Sequence, residues 1–360
     1  MSWLPIILGV IVIFSLLVIA HELGHFLMAR REGVRVLEFG IGFPPRIWSI
    51  KKGETRYSIN LFPIGGFVRL FGEDDAQTGP RSFNSKTFWQ KTRIVMAGVT
   101  VNFIIAYVIF TGLLIVGVPP IIQNLPSFGP VKPITETSVG LTIFNVTKNS
   151  AAQTAGITEG DKLISIDSKE FQNSNDLREY TKNHAGQNTV VVFQHGNDTQ
   201  TKTVVLGNDE KTGILGLVAE PIQITHYQWW AAPFAAFVLM LELIVATLAV
   251  FGNLILGLFT HAKVSEGVAG PIGIVSLFSQ IVRFGSIYIW LFIASISLSL
   301  AVINSLPLPA LDGGREFMMI LRKIGVKISP ERENIIHIIG FVALIGIMIL
   351  VSISDIRKLF

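Results

Sequence analysis

Cysteine is absent from all 360 residues, and only 15% of them are charged. The first absence excludes disulfides, iron–sulfur ligation and a thiolate zinc site. The second, joined to 50% hydrophobic residues and a mean hydropathy of +0.55, excludes an ordinary soluble enzyme and points to a membrane protein. No Lys or Arg precedes the first apolar run and no small-residue cleavage site follows it, so that run reads as a span and not as a signal to be removed. Internal repeats are lacking too, which argues against a transporter built from duplicated halves.

What is present is five apolar stretches, residues 4–20, 95–118, 229–259, 287–306 and 335–352. Each is about long enough to cross, or lie along, a hydrocarbon core of roughly 30 Å. The net charge of +4 is unevenly spread. Arg30, Arg31, Arg35, Arg46, Lys51, Lys52 and Arg56 crowd the first loop, whereas residues 119–228 carry more acids than bases. The positive-inside bias puts the first loop in the cytoplasm and the second outside. Arg315, Arg322, Lys323, Lys327 and Arg332 mark the loop before the last stretch as cytoplasmic as well. The basic residues therefore report orientation in a lipid bilayer, and no nucleic-acid partner is needed to explain them. Both termini then lie outside. By parity residues 229–259 contribute an even number of crossings, so they read as a helix at the outer interface or as a hairpin, anchored by Trp229 and Trp230.

Residues 119–210 change character. Short β-rich runs ("LTIFNV", "KLISID", "TVVVFQH", "TKTVVL") and one helix-like stretch, "SNDLREYTKNH", make a small α+β domain. Within it "NSAAQTAGITEGDKLISIDSKEF", residues 149–171, resembles the helix-turn-strand signature of PDZ domains. Gly156 and Gly160 suit its tight turns, and Asp161 can bond neighbouring backbone. The PDZ resemblance implies a peptide or substrate segment as a partner, taken up by strand addition. Residues 34–70, with Gly40, Gly42, Gly65, Gly66 and a turn at Lys52-Gly53, read as a hairpin or small sheet that dips towards the membrane.

The chemistry lies in "HELGH" at residues 21–25. His21 and His25 are four residues apart, so on a helix they share one face and both imidazoles can reach one ion. Glu22 is adjacent, placed as the catalytic acid/base for a metal-activated water. Zinc suits such ligands, and a hydrolytic site keeps the fourth position for water. A helix pair merely satisfied by neighbours is the plainer reading, but a central charge in a span costs about 2–3 kcal/mol or more, which favours function. Asp312, Glu316, Glu242, His261 and His337 compete as third ligand. Depth favours Asp312: His25 lies five residues before Arg30 and Asp312 three before Arg315, at the same cytoplasmic end. Glu316 is the competitor. In "NSLPLPALDGGR", residues 304–315, Pro307 and Pro309 break the helix and Gly313-Gly314 allow unusual dihedrals, as a wet cavity around the metal needs. Asn304 can hold substrate main chain or the broken helix.

In this order HExxH at 21–25, the glycine-rich sheet around 64–68, "AGxxxNF" at 97–103, the PDZ-like insertion, "GPIGI" at 270–274 and "NxxPxPxLDG" at 304–313 resemble the site-2 protease family of intramembrane zinc metalloproteases, in its bacterial branch with an inserted PDZ domain. The resemblance implies a polytopic α-helical membrane protein with four core transmembrane helices, a membrane-dipping β-sheet after the first helix, and an inserted α+β PDZ domain. Residues 1–118 would hold the first two helices and the sheet, 119–210 the PDZ domain, 211–286 interfacial apolar helices, and 287–360 the last two transmembrane helices. It implies Zn2+ on His21, His25 and Asp312, Glu22 as acid/base, and substrate contacts at Asn304, Asn102 and an edge strand around Gly65, Gly66 and Phe67. The implied substrates are single-pass membrane proteins, such as trimmed anti-sigma factors or remnant signal peptides, cut near the cytoplasmic face of the bacterial cytoplasmic membrane. This chain departs from the pattern in showing one PDZ-like domain where many relatives carry two, Val99 in place of a proline, and a more apolar stretch after the domain. The rival reading is a non-catalytic PDZ adaptor with a structural metal; three obvious ligands in place of four favour catalysis.

Overall fold

The computed structural model describes residues 3–73, 79–119, 125–196, 198–207, 214–261 and 268–359. In chain order the elements are α1 (Trp3–Arg31), β1 (Val36–Lys52), β2 (Thr55–Leu70), α2 (Phe88–Val95), α3 (Ala97–Val116), β3 (Ile134–Val146), α4 (Ala151–Thr154), β4 (Lys162–Ile166), α5 (Ser174–Asn183), β5 (Asn188–His195), β6 (Asp198–Val205), β7 (Leu217–His226), α6 (Ala232–His261), α7 (Pro271–Ile281), α8 (Ser286–Ser305), α9 (Asp312–Lys323) and α10 (Pro330–Leu359). Five of the helices, α1, α3, α6, α8 and α10, are long and apolar enough to cross a membrane. A helix suits that setting because its backbone polar groups are satisfied internally. The hairpin option for residues 229–259 fails, since Ala232–His261 is one unbroken helix with no turn in it.

The chain divides into two units. One comprises Phe110–Leu239 and Gln280–Leu291. Its centre is a five-stranded antiparallel sheet in the order β6-β5-β4-β3-β7. Strand alternation supplies the core: Thr189, Val191 and Phe193 of β5 point inwards, where Leu141, Ile143, Leu163 and Ile166 meet them. The turn before β4 is tied by Asp161, 3% exposed, whose Oδ2 accepts from the Thr158 amide at 2.8 Å. That turn also grips the segment leading into α8. Glu159 pairs with Arg283 at 2.5 Å, and Gly160, at φ +93°, meets the Arg283 carbonyl so closely that a Cβ would not fit.

The other unit comprises Met1–Ile109, Met240–Ser279 and Phe292–Phe360. Its sheet is made of only two long strands, each folded back on itself. Glu38 faces both Arg69 and Arg56, Gly40 faces both Phe67 and Ser58, and Lys52 closes the hairpin opposite Thr55. Residues 36–41 thus run between 55–60 and 66–70, with 46–52 outermost on one side and 66–70 outermost on the other. Gly42 (φ +78°) and Gly65 (φ +97°) supply the two bends. Glu38, 2% exposed, ties the folds together through Arg46 at 2.8 Å and Arg69 at 3.6 Å. The far part of the sheet exposes Phe43, Ile47, Trp48, Ile50 and Phe62.

In the same unit α7 crosses one end of the bundle. Phe278 packs against Gly9, near the start of α1, and against Phe292, near the start of α8. Asp355, in the last turns of α10 and 3% exposed, accepts from the Gly273 amide at 2.8 Å. This gives "GPIGI" a physical account. Pro271 suits a first helical turn, and Cβ atoms on Gly270 or Gly273 would stand 2.8 and 3.0 Å from the Asp355 carboxylate oxygens. Asp355→Ala leaves that amide unpaired inside the bundle and is expected to cost about 1–3 kcal/mol. The check is the thermal unfolding midpoint in detergent, which should fall for Ala and largely recover for Asp355→Asn, where an acceptor remains.

Candidate metal centre

The helical repeat of α1 brings His21 and His25 onto one face, with their Nε2 atoms 3.1 Å apart. The residue between them in "HELGH" that has no side chain is needed for packing. A Cβ on Gly24 would stand 2.7 Å from the Ala97 carbonyl oxygen, so only glycine lets α1 lie this close to α3. Ile94, in the last turn of α2, accepts from His25 Nδ1 at 2.9 Å, which leaves the Nε2 lone pair facing His21.

Asp312 comes from the far end of the chain. Residues 305–311 leave the α8 helix in a tight series of turns, with Leu308 N on Leu306 O at 2.7 Å and Leu311 N on Leu308 O at 3.2 Å. Ala310 is held at φ +74°, unusual for a residue with a side chain, and its amide donates to His337 Nδ1 at 2.9 Å. Gly340 of α10 lies so close to Pro309 that a Cβ there would stand 2.3 Å from the proline Cβ. Held on these contacts, the turn delivers Asp312 as the first residue of α9, with Oδ2 at 3.0 Å from His21 Nε2 and 3.3 Å from His25 Nε2.

A tetrahedral site with bonds of about 2.0–2.1 Å has ligand atoms roughly 3.3 Å apart, so this donor set, two imidazoles and one carboxylate, fits zinc. Among the described residues these three form the one cluster able to hold a metal ion. The competitors lie outside that cluster. Glu316 accepts from Thr92 Oγ1 at 2.9 Å, His337 is spent on the Ala310 amide, Glu242 is exposed on α6, and the His261 side chain lies outside the described residues.

Glu22 lies beside the sheet, its Cγ 3.1 Å from where a Cβ on Gly66 would stand. Residues 66–70, the outermost run on that side, therefore border the acid/base candidate. Phe67 turns its ring over Gly40, so this stretch offers main chain more than side chain. Asn304 is half-buried and makes no side-chain hydrogen bond among the described residues. Asn102, which the resemblance implies as a substrate contact, is 0% exposed, inside the bundle on α3. Sequence reasoning missed Gly98, whose absent Cβ would stand 2.4 Å from His25 Nε2 and 2.7 Å from His21 Cε1. Its position in "AGxxxNF" is the one signal that pointed there.

The sequence pattern of peptidase family M50 matches residues 9–347. A relative from Clostridium perfringens is 33% identical over 349 residues, 95% of this chain and 96% of its own length. Zinc metalloprotease RasP of Bacillus licheniformis is 29% identical over 443 residues, covering 98% of this chain and 99% of that one. Regulator of sigma-W protease RasP of Bacillus subtilis is 29% identical over 439 residues, with 98% and 99% covered. Among solved structures, the PDZ domain of the SdrC-like protein from Listeria monocytogenes is 20% identical, with a TM-score of 0.22, covering 24% of this chain and 93% of that one. Because the family match begins within α1 and ends within α10, it takes in both halves of the metal centre, and the chain belongs to peptidase family M50.

Proposed function

We propose that the protein is a zinc endopeptidase of the bacterial cytoplasmic membrane that cuts single-pass membrane proteins within or near the bilayer, trimmed anti-sigma factors and remnant signal peptides being the substrate class. The observation that carries this reading is the set of three donor atoms 3.0–3.3 Å apart, held on or directly after helices apolar enough to cross a membrane.

His21, His25 and Asp312 would hold the zinc, which supplies a Lewis acid and a water of lowered pKa. Glu22 takes a proton from the attacking water and delivers it to the leaving amine. A substrate helix must open before its peptide bonds can react, and an opened segment can add as a strand along residues 66–70, with Gly65, Gly66 and Phe67 offering main chain. Asn304, whose amide makes no hydrogen bond among the described residues, bonds substrate main chain beside the metal.

Arg30 and Arg31 close α1 and put the metal near the cytoplasmic face, with the α+β domain and both termini outside. The grip of Glu159 on Arg283 keeps the start of α8 beside that domain. One unbroken α6 cannot then be a lone crossing, so α6 and α7 lie at the outer interface and α1, α3, α8 and α10 are the four core spans. The exposed apolar part of the β1–β2 sheet dips into the bilayer, with Lys51 and Lys52 at headgroup level. The outer domain is a PDZ domain that takes a peptide or substrate segment.

In proteoliposomes the purified protein is expected to cut a labelled single-pass substrate, to stop on chelation and to resume when zinc is returned; cutting that survives chelation overturns the reading. Strand addition has its own test. Successive amides of a strand face opposite sides, so one of Phe67→Pro and Val68→Pro removes an outward donor without touching the pairing to β1. That variant is expected to raise KM about tenfold, the loss of roughly one hydrogen bond, with zinc content unchanged. Wild-type KM in both would rule the strand out.

A further inference from the structure

Among the polar atoms of the helices that are shut off from the surface and have no hydrogen-bond partner among the described residues are His21 Nδ1 and both amide atoms of Asn102. An unpaired buried amide costs about 1–3 kcal/mol in protein mutational data, so a fully enclosed Asn in an apolar helix calls for a use. The neighbouring ligand shows what is expected of such a ring. His25 sends its Nδ1 hydrogen to the Ile94 carbonyl, and metal-binding histidines as a rule anchor the second nitrogen in this way. His21 turns Nε2 into the cluster that would hold the zinc, so as a neutral ligand it would give the Nε2 lone pair to the metal, carry its hydrogen on Nδ1 and require an acceptor there.

On that side of His21 stands α3. His21 Nδ1 lies 2.8 Å from where a Cβ on Gly98 would be. Asn102 is four residues further along the same face, and helical side chains lean back towards the N-terminus, over the turn below them. Cβ positions four apart are about 5–6 Å from each other, a gap that an amide spans with one water. Gly98, one turn before Asn102 and facing the ring, contributes no side chain to that gap. Ser297 Oγ donates to the Asn102 main-chain carbonyl at 2.8 Å and leaves the amide unspent.

We propose that Asn102 is the positioning residue of His21: its Oδ1 accepts the Nδ1 hydrogen through one water, and so fixes the tautomer and aim of the ring. The proposal rests on the zinc reading above and takes Asn102 out of contact with substrate. Asn102→Leu removes the acceptor at similar size, whereas Asn102→Asp keeps one. Zinc affinity is measured by chelator competition on the purified protein, beside the unfolding midpoint of the zinc-free form. Leu is expected to weaken zinc binding about 10–100-fold, with Asp staying close to wild type or binding more tightly. If the amide served packing alone the order would reverse, since Leu suits an apolar bundle better than a carboxylate does. Wild-type zinc affinity in the Leu variant, or an Asp variant as weak as Leu, overturns the proposal. Should Leu fail to fold, Asp decides alone: retained affinity supports the proposal and a tenfold loss refutes it. A wild-type protein that binds no zinc would instead remove the zinc reading, so the two failures are distinguishable.

Discussion

Replacing Glu22 with glutamine is expected to slow peptide hydrolysis by about 10²–10⁴-fold while zinc stays bound. Glutamine keeps the size and shape of the side chain, which matters because the Glu22 Cγ already lies close against Gly66. The proposed metal donors are His21, His25 and Asp312, so the substitution leaves all three in place. What it removes is the ability to accept a proton. Initial rates on a labelled single-pass substrate in proteoliposomes should fall through kcat, with KM and zinc stoichiometry near wild type, the pattern of an interaction made in the transition state alone. Undiminished cleavage would show that another group moves the proton; loss of zinc would show that Glu22 supports the metal. In cells, the proposed function predicts that single-pass proteins accumulate uncut when Glu22→Gln replaces the wild type.

The candidate metal centre was legible in sequence to an unequal degree. His21 and His25 follow from the helical repeat alone, because four residues on α1 decide which side chains share a face. Asp312 was reachable through depth, since arginines at the end of α1 and on α9 mark the same level. Glu316 could not be dismissed that way, and it took the Thr92 hydroxyl on α2 to show where its carboxylate is engaged. His337 illustrates the limit from the other side. A histidine at the start of the last span looks like a spare ligand, yet its partner is the amide of Ala310, whose left-handed backbone no propensity announces. The sheet was visible as alternation and glycine, but not its double pairing. Gly42 and Gly65 bend each strand so that one run of β1 has two neighbours, and a period of two is blind to a fold-back of that kind.

Gly98→Val is expected to cost the enzyme its zinc and at least about 10²-fold in activity, through space alone. A Cβ at this position would stand 2.4 Å from His25 Nε2 and 2.7–2.8 Å from two atoms of the His21 ring. Neither ring is the loose end of a flexible chain. His25 is tethered to the Ile94 carbonyl and both face Asp312, so relief means moving metal donors by roughly 1 Å, where sites tolerate about 0.2 Å and misplacements of this size cost about 10²-fold. Gly98→Ala should show the same defect in lesser degree. Helix propensity predicts the opposite sign, because Ala favours an α-helix over Gly by about 1 kcal/mol, so a bare secondary-structure argument would expect a better enzyme. Gly112, on the same helix with nothing within 4 Å of its Cβ position, separates the two effects. Gly112→Ala should keep full zinc content and activity with an unchanged or slightly raised unfolding midpoint. Full activity in Gly98→Val would mean that α1 and α3 stand further apart at the metal than these contacts allow, and the ligand geometry would have to be redrawn from that helix pair outwards.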